Sequence, residues 1–142
     1  MKSSIKGFSL LEVIIAVLVL SSALLAMSYL QVLGLRNANS AYVRSQATML
    51  GYDIVDRMRA NAADAPSYVI AIGTATPAAT AVLSRIDTID WRTNIAAALP
   101  SGRGGVALAS GVATVTITWF DNSQEGTGSQ PTTQTYTYSA RL

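Results

Sequence analysis

The chain has 142 residues, with 10 Lys+Arg against 8 Asp+Glu, no His and no Cys, which bounds it to one domain of ordinary size. The missing residue types exclude disulfides, Cys nucleophiles, His general bases and zinc sites built on those ligands. Both lysines, Lys2 and Lys6, lie ahead of Gly7, and the rest of the chain balances eight arginines against eight carboxylates, so a general polyanion-binding role has no support.

From Phe8 to Leu35 there is one charge, Glu12, and Val13 to Leu35 is an uncharged run of 23 residues without Pro. That is long enough to cross a bilayer as a helix. Lysines precede the run and Arg36 is the first charge after it, which favours a cytoplasmic amino terminus and an exported remainder. A secretory signal peptide, cut near Ser21, Ser22, Ala23 or Ala26, and a plain single-span anchor both carry Glu12 at a cost. A carboxylate in the apolar region costs about 2.5 to 3.5 kcal/mol on insertion scales, so it needs a partner.

The run Lys6-Gly7-Phe8-Ser9-Leu10-Leu11-Glu12, followed by apolar residues, resembles the processing site of type IV prepilins and type II secretion pseudopilins. The resemblance implies cleavage by a prepilin peptidase between Gly7 and Phe8, N-methylation of Phe8, and an assembly role for Glu12 at the fifth place of the processed chain. The residues suit that chemistry. Gly7 lets a protease approach the backbone, and a cut ahead of the apolar helix leaves the helix on the product. The new Phe8 amine is a cation that a neighbouring subunit's Glu12 would neutralise in a low-dielectric bundle, rewarding one axial stagger. Within its own chain Glu12 also sits near the positive end of the helix macrodipole.

No Pro occurs before Pro66, so the spacing predicts one helix from Phe8 to Asn61, with Gly34 and Gly51 as its points of bending. Val43, Ala47, Leu50, Ile54 and Met58 form an apolar stripe that asks for a partner. Asp53 with Arg57, and Asp56 with Arg59, read as exposed helical ion pairs. Residues 62–80 read as a loop with a short extended piece at Tyr68 to Ile72. A short helix is predicted over about 87–99, capped by Asp87 or Thr88, with Trp91, Ile95 and Leu99 on one face and Pro100 ending it. Ser101 to Gly105 reads as a turn, because it precedes a strand where a phosphate-cradling loop would precede a helix.

Strands are predicted over about 106–142: Val106 to Ala109, Val112 to Phe120 and Thr132 to Leu142, joined by a Ser110-Gly111 turn and an Asp121 to Pro131 loop. Ala113, Val115, Ile117 and Trp119 alternate with threonines, the mark of a half-buried antiparallel strand. The fold class expected is therefore α+β and pilin-like: a long amino-terminal helix, transmembrane in its first half and amphipathic in its second, packed on a small antiparallel sheet. The domain reading is a leader at 1–7, a membrane and filament-core helix at 8–35 and an exported body at 36–142.

Three other constellations reach no catalytic reading. Asp121, Ser123, Glu125 and Gly126 begin like a calcium loop, but Thr132 stands where a bidentate Glu is required. Trp119, Tyr136 and Tyr138 suggest a ligand platform, though strand aromatics more often pack across strands. Asp87 and Asp90 read as charges at the start of a short helix. No catalytic residue, metal site or cofactor is expected.

The body is also similar to the PilV-type pilus modification proteins, a group of minor pilins. The residues that carry this are Tyr52 to Asn61, Asp90-Trp91-Arg92 with Leu99 to Gly104, and Val115 to Trp119. The likeness implies a low-copy, non-enzymatic filament subunit acting in pilus assembly, twitching motility or adhesion. Its partners would be major and minor pilins, met through the amino-terminal helix, and the prepilin peptidase. It would reside in the inner membrane before assembly and in the pilus, periplasm or cell surface afterwards. A mid-helix Pro and a disulfide loop, common in major pilins, are both missing. The nearest alternative is a minor pseudopilin of type II secretion; a membrane-anchored exported binding domain is the alternative from a different class.

Overall fold

The computed structural model describes residues 9–78, 81–121 and 132–142. Helix α1 runs over Leu10–Ala60, 51 residues, α2 over Leu83–Ala98, and three strands follow: β1 Arg103–Ala109, β2 Val112–Asp121 and β3 Thr132–Arg141. The chain divides into two compact units, Met1–Ala38 and Asn39–Leu142. The first is helical throughout its described length from Leu10, and no residue of its apolar window is buried.

The second unit is α+β. Its sheet is an antiparallel meander in the order β1-β2-β3. In β2 the inward residues Ala113, Val115, Ile117 and Trp119 are buried while the threonines between them are half-exposed, as the alternation requires. Ala109 pairs with Val112 across Ser110 and Gly111, whose φ angles of 50° and 76° are those of a type I′ turn, the two-residue connection that matches strand twist. The predicted helix stripe is present, since Val43, Ala47, Ile54 and Met58 are buried and Leu50 is packed against the core. Gly51 and Val55 join it. Trp91 and Ile95 of α2, with Leu99 just past its end, complete the core.

Gly51 serves contact, not bending: a Cβ there would stand 2.8 Å from the Tyr136 ring, so the missing side chain lets the sheet approach the helix. One ring further along, Tyr138 meets Tyr52 edge-on, with centroids 4.7 Å apart.

Four boundaries differ from those expected. Ala62–Tyr68 is 3-10 helical, not loop, with Ala65 and Tyr68 buried, and only Ile70 of the anticipated extended piece pairs, as a single bridge to Val106. The α2 helix begins at Leu83, four residues before Asp87, with no side-chain cap; the Val82 carbonyl accepts from the Arg85 and Ile86 amides at 3.1 Å. Asp87 and Thr88 lie inside the helix because their side chains answer to other elements: Asp87 to Arg57 and Tyr68, Thr88 to the Ser84 carbonyl.

The fourth difference is β1, which starts at Arg103, so Gly104 and Gly105 are strand and not turn. A Cβ at Gly104 would stand 2.6 Å from the Trp91 ring, and one at Gly105 would stand 2.7 Å from the Ile72 amide. These glycines let α2 lie on one side of the strand and the 70–72 segment cross it closely, a packing need that Gly-rich composition disguises as a turn.

Candidate functional site

The amino-terminal helix opens at Ser9, whose carbonyl accepts from the Glu12 amide at 3.0 Å and the Val13 amide at 3.3 Å. Glu12 is thereby in the first turn, where the helix macrodipole favours an anion. Around it the apolar side chains are uncovered on every side: Leu10 is 79% exposed, Leu18 66% and Leu25 73%. A helix apolar all round with nothing covering it is the pattern of a segment solvated by lipid or by other helices.

Three serines of this stretch are internally satisfied. Ser21 donates to the Val17 carbonyl at 2.7 Å, Ser22 to Val19 at 2.8 Å and Ser28 to Leu24 at 2.9 Å. Bonds of this kind let serine enter an apolar phase without an orphaned donor. Glu12 remains as the single charge between Ser9 and Leu35. Gly7 and Phe8, the expected processing and N-methylation positions, lie outside the described residues.

The other candidates are absorbed into packing. Trp119 is buried, Tyr136 covers Gly51 and Tyr138 covers Tyr52, so the aromatics form a helix-to-sheet contact and present no ligand platform. Asp121, first of the residues whose spacing begins like a calcium loop, is buried and accepts from the Ser40 hydroxyl at 2.8 Å; Ser123, Glu125 and Gly126 lie outside the described residues. Asp90 is exposed while Asp87 is engaged, so the two carboxylates have different fates.

Asp87 is held by Arg57 Nη1 at 3.1 Å and by the Tyr68 hydroxyl at 2.6 Å, and Arg57 Nε also pairs with Asp53 at 3.0 Å. Arg57, read from sequence as part of a surface pair, therefore ties α1 to α2. The Asp53 bond, together with that from Asp87, raises the Arg57 pKa, while burial raises that of Tyr68. Asp56 and Arg59 form the expected exposed pair.

Arg92 is the residue that patterning missed. It is 8% exposed, and its guanidinium donates only to main-chain carbonyls and one hydroxyl: Gly104 from Nε at 3.1 Å and Nη2 at 2.8 Å, Ala71 from Nη2 at 2.7 Å, and Thr74 from Nη1 at 2.7 Å. It ties the 71–74 segment and β1 to α2. The signal was available: Thr88, Arg92 and the apolar Ile95 and Leu99 recur on one helix face, and a charge on that stripe marks a buried arginine.

Residues 2–28 match the family model described as the prokaryotic N-terminal methylation motif. The chain carries a prepilin-type amino terminus. No curated protein and no solved structure matches the chain. The motif covers Gly7, Phe8 and Glu12 together with most of the uncovered apolar run, and it implies a type IV pilin-like or pseudopilin protein, a structural class anchored through that helix. The body, residues 39–142, lies beyond the match.

Proposed function

We propose that the chain is a minor pilin of a type IV pilus, contributing to pilus priming and assembly and through them to twitching motility or adhesion. The observation that carries this reading is the methylation motif over residues 2–28 continuing into an apolar helix whose side chains no described residue covers. Cleavage between Gly7 and Phe8 leaves that helix on the exported body as an assembly surface, with a methylated amine on Phe8 and Glu12 four residues further along the chain. In the filament the amine of one subunit pairs with Glu12 of its neighbour. Two ions withdrawn from water together are costly to separate, so the pair penalises wrong staggers more than it strengthens the right one.

The body supports the same class through its architecture, a helix laid on a three-stranded meander. The stretches that resemble PilV-type proteins have structural roles: Asp53 and Arg57 hold α2, Trp91 donates to the Leu50 carbonyl at 2.8 Å, and Gly104 admits the Trp91 ring.

The deciding experiment is the intact mass and amino-terminal sequence of the protein from membranes of cells that express it natively. A chain beginning at N-methylated Phe8 is the expected result; an uncut chain, or one cut near Ala23 or Ala26, removes the proposal. Deletion then separates the two machines. Loss of surface motility with secretion intact is expected, and the reverse phenotype assigns the chain to type II secretion as a pseudopilin. Glu12→Ala should be processed normally yet be depleted from sheared filaments.

A further inference from the structure

The body contains an open cleft of about 160 Å³ between the 73–76 segment, α2 and the start of β1, lined among others by Thr74, Thr76, Arg92, Gly102 and Arg103. Its charge is one-sided. The Arg92 guanidinium is withdrawn from water, and every acceptor it has in the structure is neutral. Arg103 Nη1 lies along the same cleft, 3.9 Å from where a Cβ would stand at Gly73. Asp53 and Asp87 are held by Arg57 and Asp56 by Arg59, and among the described residues no carboxylate pairs with Arg92 or Arg103.

Carbonyl oxygens supply partial charge, which lowers the cost of holding Arg92 out of water but does not neutralise it. Buried cations are ordinarily paired with an anion. Burial correspondingly pulls the Arg92 pKa below the usual arginine value, with no opposing carboxylate to restore it. The cleft thus combines a desolvated cation and a second guanidinium at an opening wide enough for one small anionic group; the Thr74 hydroxyl is spent on the Ala71 carbonyl at 2.7 Å. Arginine is well suited to such a group because its planar fork matches a carboxylate.

We propose that this cleft binds a carboxylate, the side chain of an Asp or Glu presented by an acidic segment of a partner protein, seated between Arg103 and the exposed edge of Arg92. Arg103 supplies the main ion pair, and Arg92, held by Ala71, Thr74 and Gly104, keeps the cleft open and adds a fixed positive field. The 160 Å³ volume admits a side-chain carboxylate. The site is independent of the amino-terminal helix and of whether the chain serves a pilus.

The test uses the full chain in detergent micelles with ¹⁵N-labelled arginine, following the Nε–H signals during titration. The probes are sodium acetate, a blocked pentapeptide with one central Glu, its Gln counterpart, sodium phosphate, and sodium chloride at matched ionic strength. Acetate and the Glu peptide should move the Arg92 and Arg103 signals saturably, with midpoints of about 1 to 10 mM, as a single charge-assisted contact implies. Chloride and the Gln peptide should not. Arg103→Gln, which alters an exposed side chain, should weaken both carboxylate titrations about tenfold or more, and Arg85→Gln should leave them unchanged.

Acetate binding without Glu-peptide binding overturns the protein partner. A phosphate response stronger than the peptide's overturns the carboxylate. Absence of saturation, a response matched by chloride, or indifference to Arg103→Gln overturns the site.

Discussion

Two stretches of the same helix carry opposite instructions. Between Leu10 and Ala38 no residue is buried and the apolar side chains surround the axis, whereas between Val43 and Met58 the buried residues fall on one stripe with charges elsewhere. Helical structure is common to both because neither contains Pro and each draws on good helix formers, Leu and Ala in the first and Arg, Met and Gln in the second. The difference lies in what surrounds them. An all-round apolar helix requires an apolar medium or a bundle, while an amphipathic one requires a single companion surface, supplied here by the sheet and α2. Helix propensity accounts for the element, and the distribution of apolar residues accounts for its surroundings.

Substitutions can set the two stretches against each other. Trp91→Ala should have the largest effect, a loss of about 3 to 5 kcal/mol for removing a fully buried ring, with the Leu50 bond lost besides. Chemical unfolding of the full chain in micelles would register it, and an unchanged midpoint would contradict the assigned core. Membrane association should survive this change, because Trp91 lies outside the apolar stretch.

Leu18→Arg is the converse. It should oppose insertion by about 2.5 to 3.5 kcal/mol, releasing the protein to alkaline extraction without altering the unfolding of the body. Persistent membrane retention would show that the apolar stretch is not what anchors the chain.

Gly104→Ala should destabilise the body by about 1 to 3 kcal/mol, since the added methyl collides with the buried Ile95 side chain and Trp91 ring. A neutral result would mean that β1 and α2 separate more easily than the packing implies.

The smallest effect concerns pH. The Ser67 hydroxyl hydrogen-bonds the Asp64 carboxylate and lowers its pKa. A carboxyl depressed in the folded state stabilises above its unfolded pKa, about 3.9, and that contribution disappears as pH falls through the folded value. Melting temperatures of the parent and of Asp64→Asn should therefore differ near neutrality and begin to converge only below about pH 4. A constant offset across that range would place the effect in packing instead.

Patterning made most of the fold legible because its signals are local. The β2 alternation, the Ser110-Gly111 turn and the stripe from Val43 to Met58 each depend on neighbours a few residues away, and each is present. The failures have one cause, dependence on residues distant in sequence. Gly51 resembles a point of bending until Tyr136 is seen against it, and Gly104 and Gly105 resemble a turn until Trp91 and Ile72 are in place. Asp87 has the composition of a cap, but Arg57 and Tyr68 determine its role from 30 and 19 residues away.

What the amino-acid sequence determined by itself is the prepilin-type amino terminus, with Gly7, Phe8 and Glu12 in their spacing, and the α+β order of elements behind it. Both are written in contiguous residues, and a linear motif or a period imposed by a helix needs nothing further. Only the tertiary structure decided which polar side chains are structural and which stand over open space. Arg92 and Arg103 are eleven residues apart on a helix and a strand, and they line one cleft because Gly102, Gly104 and the Trp91 ring allow those elements to approach. Charge balance at a site is a property of that approach, and no window along the chain contains it.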